Sequence, residues 1–200
     1  MRGLSSSPSR NTDLSKIYSV AVLVGSLRKG AYTRMLANAL KKIAPPSIAL
    51  SIVEIGDLPL YNPDLDDAGA PAAWTRFRNE VKSSNAVLFI TPEYNRSVPA
   101  ALKNALDVGS RPYGASVWPG KPGAIISLTP GSLGAFGANH HLRQSLVFLD
   151  VPTLQQPEAY LGNAGSMFDV AGGFADASTE AHMKAYLDAF ADWITRTAKA

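Results

Sequence analysis

Residues 17–30 read IYSVAVLVGSLRKG, and this stretch decides the fold class. Its first eight residues are almost entirely apolar and rich in β-branched side chains, a pattern typical of a strand buried on both faces of a sheet. From Tyr32 to Ile43, apolar residues recur at three- and four-residue spacings until Pro45-Pro46 ends the pattern. The stretch therefore predicts a strand, a glycine-containing loop and a helix that packs on the sheet.

The same alternation of strand and helix continues along the chain. Further strands are predicted at 48–55, 85–90, 123–128 and 153–161, and helices are predicted from Pro71, from Pro99, around Leu142 and Leu146, and at 178–197. The segment 56–63 is expected to be a loop. Such alternation favours right-handed crossovers and a parallel sheet covered on both faces. We predict an α/β, flavodoxin-like three-layer sandwich with a five-stranded sheet in the order 2-1-3-4-5.

Composition limits the chemistry and the domain organisation. The 200 residues suit a single domain, which we place at 16–200, after a flexible tail at 1–15. Because cysteine is absent, redox chemistry requires a bound cofactor. The net charge of +3 is spread along the chain, so we expect no nucleic-acid partner. The sequence shows neither a membrane span nor a signal peptide, and we expect no membrane insertion and a cytoplasmic location.

The first candidate binding loop is GSLRKG, after the first strand. In sheets of this kind, ligands bind beyond the carboxyl ends of the strands where the strand order reverses, here between the first and third strands. Ser26, Tyr32 and Thr33 offer hydroxyl groups, Arg28 offers positive charge, and the start of a helix favours phosphate. The loop matches neither the dinucleotide nor the triphosphate glycine motif, which favours a monophosphate. The alternative is an ordinary turn with solvated cations.

The second candidate loop, residues 91–99, reads TPEYNRSVP and follows the third strand. Its mixture of groups suits a planar heterocycle: Tyr94 can lie against the ring, and backbone N–H groups around Asn95 and Arg96 can bond its polar atoms. The alternatives are that Tyr94 only packs at an edge, and that Glu93 is a solvated or helix-facing carboxylate.

The third candidate loop, residues 129–134, reads TPGSLG and follows the fourth strand. Its glycines leave backbone N–H groups open to the far edge of the same heterocycle. Taken alone, this loop is equally consistent with a flexible turn. Its significance lies in the coincidence of three such loops at one sheet edge.

GSLRKG, TPEYNRSVPAALKNALD at 91–107 and HLRQSLVFLD at 141–150 together resemble the NAD(P)H-dependent FMN reductase family, especially its bacterial chromate/quinone reductase branch. The similarity covers residues 17–197. It implies bound FMN, NADPH or NADH as electron donor, and a homodimer or homotetramer with flavin sites beside the subunit interfaces. By motif position it implies that the FMN phosphate is held by Ser26 and Arg28 with the helix-start residues Tyr32 and Thr33, and the ring by Pro92, Glu93, Tyr94, Asn95, Ser127 and Gly131.

The chain departs from that family pattern at two places. Where relatives often continue the first loop with Ser-Phe-Asn, this chain has Ala31 followed by Tyr32 and Thr33, so one hydroxyl contact to phosphate is lost. Where close relatives carry an arginine and a tyrosine before HLRQ, this chain has Gly137 and His140, which makes a tetramer less secure than a dimer. The adjacent residues His140 and His141 diverge by about 100° on a helix, and we expect no metal site.

The resemblance implies a two-step reaction in which NAD(P)H gives hydride to flavin N5 and a small acceptor then takes the electrons. Quinones, free flavins, chromate and azo compounds are all candidate acceptors, and no side chain has to act as acid or base. One alternative is a flavodoxin-like electron carrier that binds FMN without oxidising NAD(P)H, although such carriers tend to be acidic and this chain has a pI of 9.2. Another is a nucleotide-binding module without redox activity.

Overall fold

The computed structural model describes residues 16–197, so the tail predicted at 1–15 lies outside the described residues. No helix in the described range is long and apolar enough to cross a membrane. Besides a short 3₁₀ turn at Ala164–Ser166, the elements are β1 Tyr18–Val24, α1 Tyr32–Ile43, β2 Ile48–Ile52, α2 Pro63–Asp67, α3 Ala72–Ser83, β3 Ala86–Thr91, α4 Ala100–Gly109, β4 Gly123–Leu128, α5 Phe136–Phe148, β5 Tyr160–Leu161 and α6 Ala177–Thr197.

The five strands form one parallel sheet in the order β2-β1-β3-β4-β5. The predicted fold class and strand order are confirmed. The order reverses between β1 and β3, and Val24 at the end of β1 lies opposite Ile90 near the end of β3. The loops that follow these two strands therefore leave the sheet side by side.

Helices cover both faces of the sheet, because successive side chains of each buried strand point to opposite faces. In β1, Val20, Val22 and Val24 belong to a core shared with α1 and α6. Ala21 and Leu23 belong to a second core shared with α3, α4 and α5. The continuous apolar pattern of β1 follows directly from these two cores.

The structure differs from the sequence prediction in two strands and one helix. The second strand ends at Ile52 and not at residue 55, and the fifth is only Tyr160–Leu161, although Thr153 forms an isolated bridge to the first residue of β4. Both are edge strands, whose length depends on one neighbour only. The predicted loop 56–63 gives way to helix α2 at its end, where the side chain of Asn62 caps the helix and Pro63 starts it.

Buried polar contacts fix the segment between β2 and α3. The Asn104 side chain accepts from the Tyr61 N–H at 2.8 Å and donates to the Pro59 carbonyl at 3.0 Å and, at 3.2 Å, to that of Leu58. Asp66 of α2 pairs with Arg78 of α3 at 2.8 Å, with only 9% and 12% of their side chains exposed. Hydrogen bonding from Arg78 lowers the pKa of Asp66 below its ordinary value.

Candidate functional site

The three loops predicted to form the site meet at the carboxyl edge of the sheet. The N–H of Gly25, just after β1, donates to the Ile90 carbonyl of β3 at 2.8 Å, and Thr91 of β3 lies opposite Ser127 of β4. A Cβ atom on Gly25 would lie 2.9 Å from Cδ of Pro92. Glycine is required here because the first two loops approach each other too closely for any side chain.

The start of α1 carries the unsatisfied polar groups of this edge. Thr33 is only 2% exposed, and its hydroxyl oxygen has no hydrogen-bond partner among residues 16–197. The N-cap residue Ala31 has no side chain to cap the helix, and the first turn contains no acidic residue. The first N–H groups of a helix lack intrahelical partners. The start of α1 therefore suits a ligand that accepts hydrogen bonds and carries negative charge.

Ser26 and Arg28 lie beside this helix start. The Ser26 hydroxyl lies 3.3 Å from the Tyr94 hydroxyl and accepts from the Arg28 N–H at 3.4 Å. The Arg28 side chain is exposed, and its guanidinium carbon is 6.0 Å from the centre of the Tyr32 ring. Within the described range, no carboxylate forms an ion pair with Arg28. The exposed Arg28 guanidinium and the buried Thr33 hydroxyl therefore lie on either side of Tyr32 at the start of α1.

The loop after β3 contains a tight turn that presents an aromatic ring and two N–H groups. Tyr94 and Ser97 exchange backbone hydrogen bonds at 3.1 and 3.0 Å, and Asn95 and Arg96 between them have φ angles of 50° and 64°. Positive φ at both central positions is typical of a type I′ turn. Tyr94 is 50% exposed and Asn95 is exposed. The turn is therefore closed by two backbone hydrogen bonds and exposed on its outer side.

Glu93 differs from its exposed neighbours Tyr94 and Asn95, because its side chain turns toward α5 and is only 11% exposed. Its Oε2 accepts from the Ala138 N–H of α5 at 3.0 Å, and its Oε1 accepts from Arg96 at 3.1 Å. Of the alternatives raised by the sequence, a helix-facing carboxylate describes this geometry.

The loop after β4 is held from inside by a buried polar pair. Ser127 is fully buried; its hydroxyl donates to the Gly134 carbonyl at 2.7 Å and accepts from the Asn139 side-chain amide at 3.1 Å. Gly131 is exposed, and the nearest atom to a Cβ placed on it is Oγ1 of Thr129, at 4.0 Å. The hydroxyl of Ser127 thus supports the loop, whereas the backbone of Gly131 is the part that faces open space.

The two neighbouring histidines of α5 contact different segments, the loop after β3 and strand β5, as expected for adjacent helix positions. His141 Nδ1 lies 3.0 Å from the Ser97 hydroxyl, and His140 Nε2 lies 3.1 Å from the Tyr160 hydroxyl. Tyr160 in turn donates to Glu158 at 2.8 Å. Burial, aided by this hydrogen bond, raises the pKa of Tyr160 to about 12.

The structure brings most of the predicted site residues to one edge, and only some of their side chains face it. Two contributors were not predicted as site residues: Gly25, which allows the first two loops to meet, and Asn139, which anchors the third loop. The position of Gly25 directly after a buried strand was a usable signal, whereas nothing in the sequence marked Asn139 as buried. Of the predicted site residues, Arg28, Tyr94, Asn95 and Gly131 are exposed, Tyr32 and Pro92 are half-buried, Ser26 and Thr33 are buried beside them, and Glu93 and Ser127 bond interior groups.

Comparisons with known proteins agree with this arrangement. The family model described as NADPH-dependent FMN reductase matches residues 18–166. A quinone reductase from Pseudomonas putida is 60% identical over 181 residues, which cover 90% of this chain and 97% of the relative. A 2-hydroxy-1,4-benzoquinone reductase from a Burkholderia species is 41% identical and covers 88% of this chain and 95% of the relative.

The solved structure of FerB, a flavoenzyme NAD(P)H:(acceptor) oxidoreductase from Paracoccus denitrificans, is also similar. It superposes with a TM-score of 0.87 at 40% identity, covering 92% of this chain and all of that one. The family resemblance predicted from GSLRKG and the two later motifs is therefore confirmed, and so are the predicted enzyme class and cofactor. This chain belongs to the NADPH-dependent FMN reductase family of flavin-dependent oxidoreductases.

Proposed function

We propose that this protein is an FMN-dependent oxidoreductase that passes electrons from NADPH or NADH to small quinones. The observation that carries the proposal is the buried hydroxyl of Thr33 at the start of α1, which has no hydrogen-bond partner within the described range 16–197. A buried hydroxyl left without a partner costs about 1–3 kcal/mol. A bound phosphate oxygen would remove that cost, because it would accept a hydrogen bond from the Thr33 hydroxyl.

The residues at the sheet edge fit FMN in charge and in the order of its parts, from the phosphate to the ring. Thr33, Ser26 and the N–H groups at the start of α1 would hold the phosphate, with Arg28 adding positive charge. The Tyr94–Ser97 turn would lie along the isoalloxazine, offering the N–H groups of its two central residues. FMN, when bound, supplies the group that accepts and releases hydride. The chain binds and orients it and leaves one side of the site open.

Quinones are the acceptors that we propose first, because two of the relatives compared above are named as quinone reductases. Free flavins, chromate and azo compounds are further candidates for an open flavin edge. The test is steady-state kinetics of FMN-loaded protein with NADPH and NADH against all four acceptor classes. We expect the highest kcat/KM with a benzoquinone. A higher kcat/KM with another class would contradict the quinone assignment and leave the FMN site intact.

An electron carrier that binds FMN without oxidising NAD(P)H is the rival proposal. The pI of 9.2 argues against it, since carriers that dock on protein partners tend to be strongly acidic. Anaerobic addition of NADPH or NADH to the FMN-loaded protein separates the two. We expect the visible absorbance of the oxidised flavin to bleach, whereas a carrier would keep its oxidised spectrum.

We also propose that the protein assembles as a homodimer or homotetramer in the cytoplasm. Support for assembly comes from α5, on which the side chains of Phe136, Val147 and Phe148 are 53%, 78% and 87% exposed. Large exposed apolar side chains at both ends of one helix, two of them adjacent at its C-terminus, are consistent with a protein interface. Light scattering on the purified protein measures the number of 21.2 kDa chains per particle, and cell fractionation tests the location.

A further inference from the structure

The N-terminus of α5 is capped by a residue from another loop. Its own N-cap residue, Ala135, has no side chain that can bond the helix, and its backbone is left-handed, with φ 58° and ψ 38°. Glu93 takes this role from 45 residues earlier in the chain, with Oε2 accepting from the third N–H of the helix, that of Ala138, at 3.0 Å. A carboxylate here satisfies an otherwise unpaired donor and interacts favourably with the helix dipole.

Two further contacts join the Tyr94–Ser97 turn to the same helix. The Ser97 hydroxyl lies 3.0 Å from Nδ1 of His141. A Cβ on Gly137 would lie 2.9 Å from both Oε2 of Glu93 and the carbonyl oxygen of Arg96, so helix and turn are in close contact. The turn is therefore fixed at both ends against the first turns of α5.

We propose that Glu93 is a positioning residue, whose carboxylate docks the Tyr94–Ser97 turn on α5 and does not itself contact the flavin. This inference rests on the proposed function, because the turn is the part assigned to the isoalloxazine. The sequence resemblance implied that Glu93 holds the flavin ring, whereas in this proposal its carboxylate holds the turn. The loop would then contact the flavin through the Tyr94 ring and the N–H groups of Asn95 and Arg96. The positions of these groups depend on how the turn is docked on α5.

The test compares two substitutions of Glu93 with a matched control in α6. E93Q keeps a side-chain oxygen that can accept from Ala138, whereas E93A removes the cap. Asp176 provides the control, because its Oδ2 accepts from the Thr179 N–H near the start of α6 at 2.9 Å, and among residues 16–197 its side chain bonds only Ser178 and Thr179. D176A therefore removes an equivalent cap without altering the turn.

FMN affinity, melting temperature and flavin midpoint potential are measured for each reconstituted protein. For E93Q we expect FMN affinity within about twofold of wild type and an unchanged potential, because the docking contact survives. For E93A we expect FMN affinity to fall about tenfold, since an undocked turn has to be ordered on binding. For D176A we expect a lower melting temperature with FMN affinity within about twofold of wild type.

Three results would overturn the inference. They are wild-type FMN affinity in E93A, loss of FMN affinity in D176A comparable to that in E93A, and a changed midpoint potential in E93Q. The last would show that the Glu93 charge acts on the flavin directly, and it remains decisive even if E93A does not fold. Failure of the proposed function looks different, because the wild-type protein itself would then not bind FMN.

Discussion

Replacing Thr33 by valine should make the empty protein more stable and its FMN complex weaker. Valine has nearly the same shape as threonine, so the substitution removes the hydroxyl and little else. That hydroxyl is buried and has no partner within residues 16–197, so the unliganded protein loses no hydrogen bond. In the FMN complex, by contrast, the same hydroxyl is the donor that we assign to the phosphate.

The two effects have magnitudes that can be measured separately. Removing an unsatisfied buried hydroxyl should raise the free energy of unfolding of the FMN-free protein by about 1 kcal/mol. Losing a hydrogen bond to a charged phosphate should weaken FMN binding by about 2 kcal/mol, which is about 30-fold in Kd. Stability and affinity therefore change in opposite directions, which a general loosening of the fold does not produce.

The assay combines urea unfolding of FMN-free protein with an FMN titration followed by quenching of flavin fluorescence. T33S keeps the hydroxyl and should bind FMN within a few-fold of wild type. T195V is a matched control, because the Thr195 hydroxyl bonds the Ala191 carbonyl at 3.0 Å within α6, away from the loops. Wild-type FMN affinity in T33V, or a destabilised FMN-free variant, would show that the Thr33 hydroxyl does not bind the phosphate.

Further predictions concern charge, buried contacts and assembly. Replacing Arg28 by alanine should weaken FMN binding about tenfold while changing hydride transfer in FMN-saturated enzyme much less, which stopped-flow kinetics can check. N104A should lower the free energy of unfolding by about 3 kcal/mol, measured in urea, because three hydrogen bonds to the segment after β2 are lost. D66N should cost about 2 kcal/mol by leaving Arg78 without its carboxylate, a difference present above the ordinary Asp pKa of 3.8 and shrinking as the pH falls below it, because the folded-state pKa of Asp66 is lowered. F148E should reduce the particle mass measured by light scattering, and an unchanged mass would remove α5 from the interface.

Local patterns were sufficient to predict most of the fold. The apolar runs of β1, β3 and β4 are buried on both faces, so hydrophobicity alone identified them. The edge strands were predicted too long, because pairing with a single neighbour is decided by tertiary contacts. Helix α2 differs from the predicted loop, because Pro63 is both a loop signal and a favoured first helix residue, and the Asn62 side chain caps the helix.

For the site, the sequence alone determined which chemical groups stand at the sheet edge. Parallel strands end together, so the residues after β1, β3 and β4 had to meet, and the family motifs assigned them to FMN. Only the tertiary structure decided which way the side chains point. Glu93 turns to a helix that begins more than 40 residues later, and Ser127 turns inward to Asn139. Such orientations depend on contacts between distant segments, whereas local periodicity reports only which residues are apolar and how they are spaced.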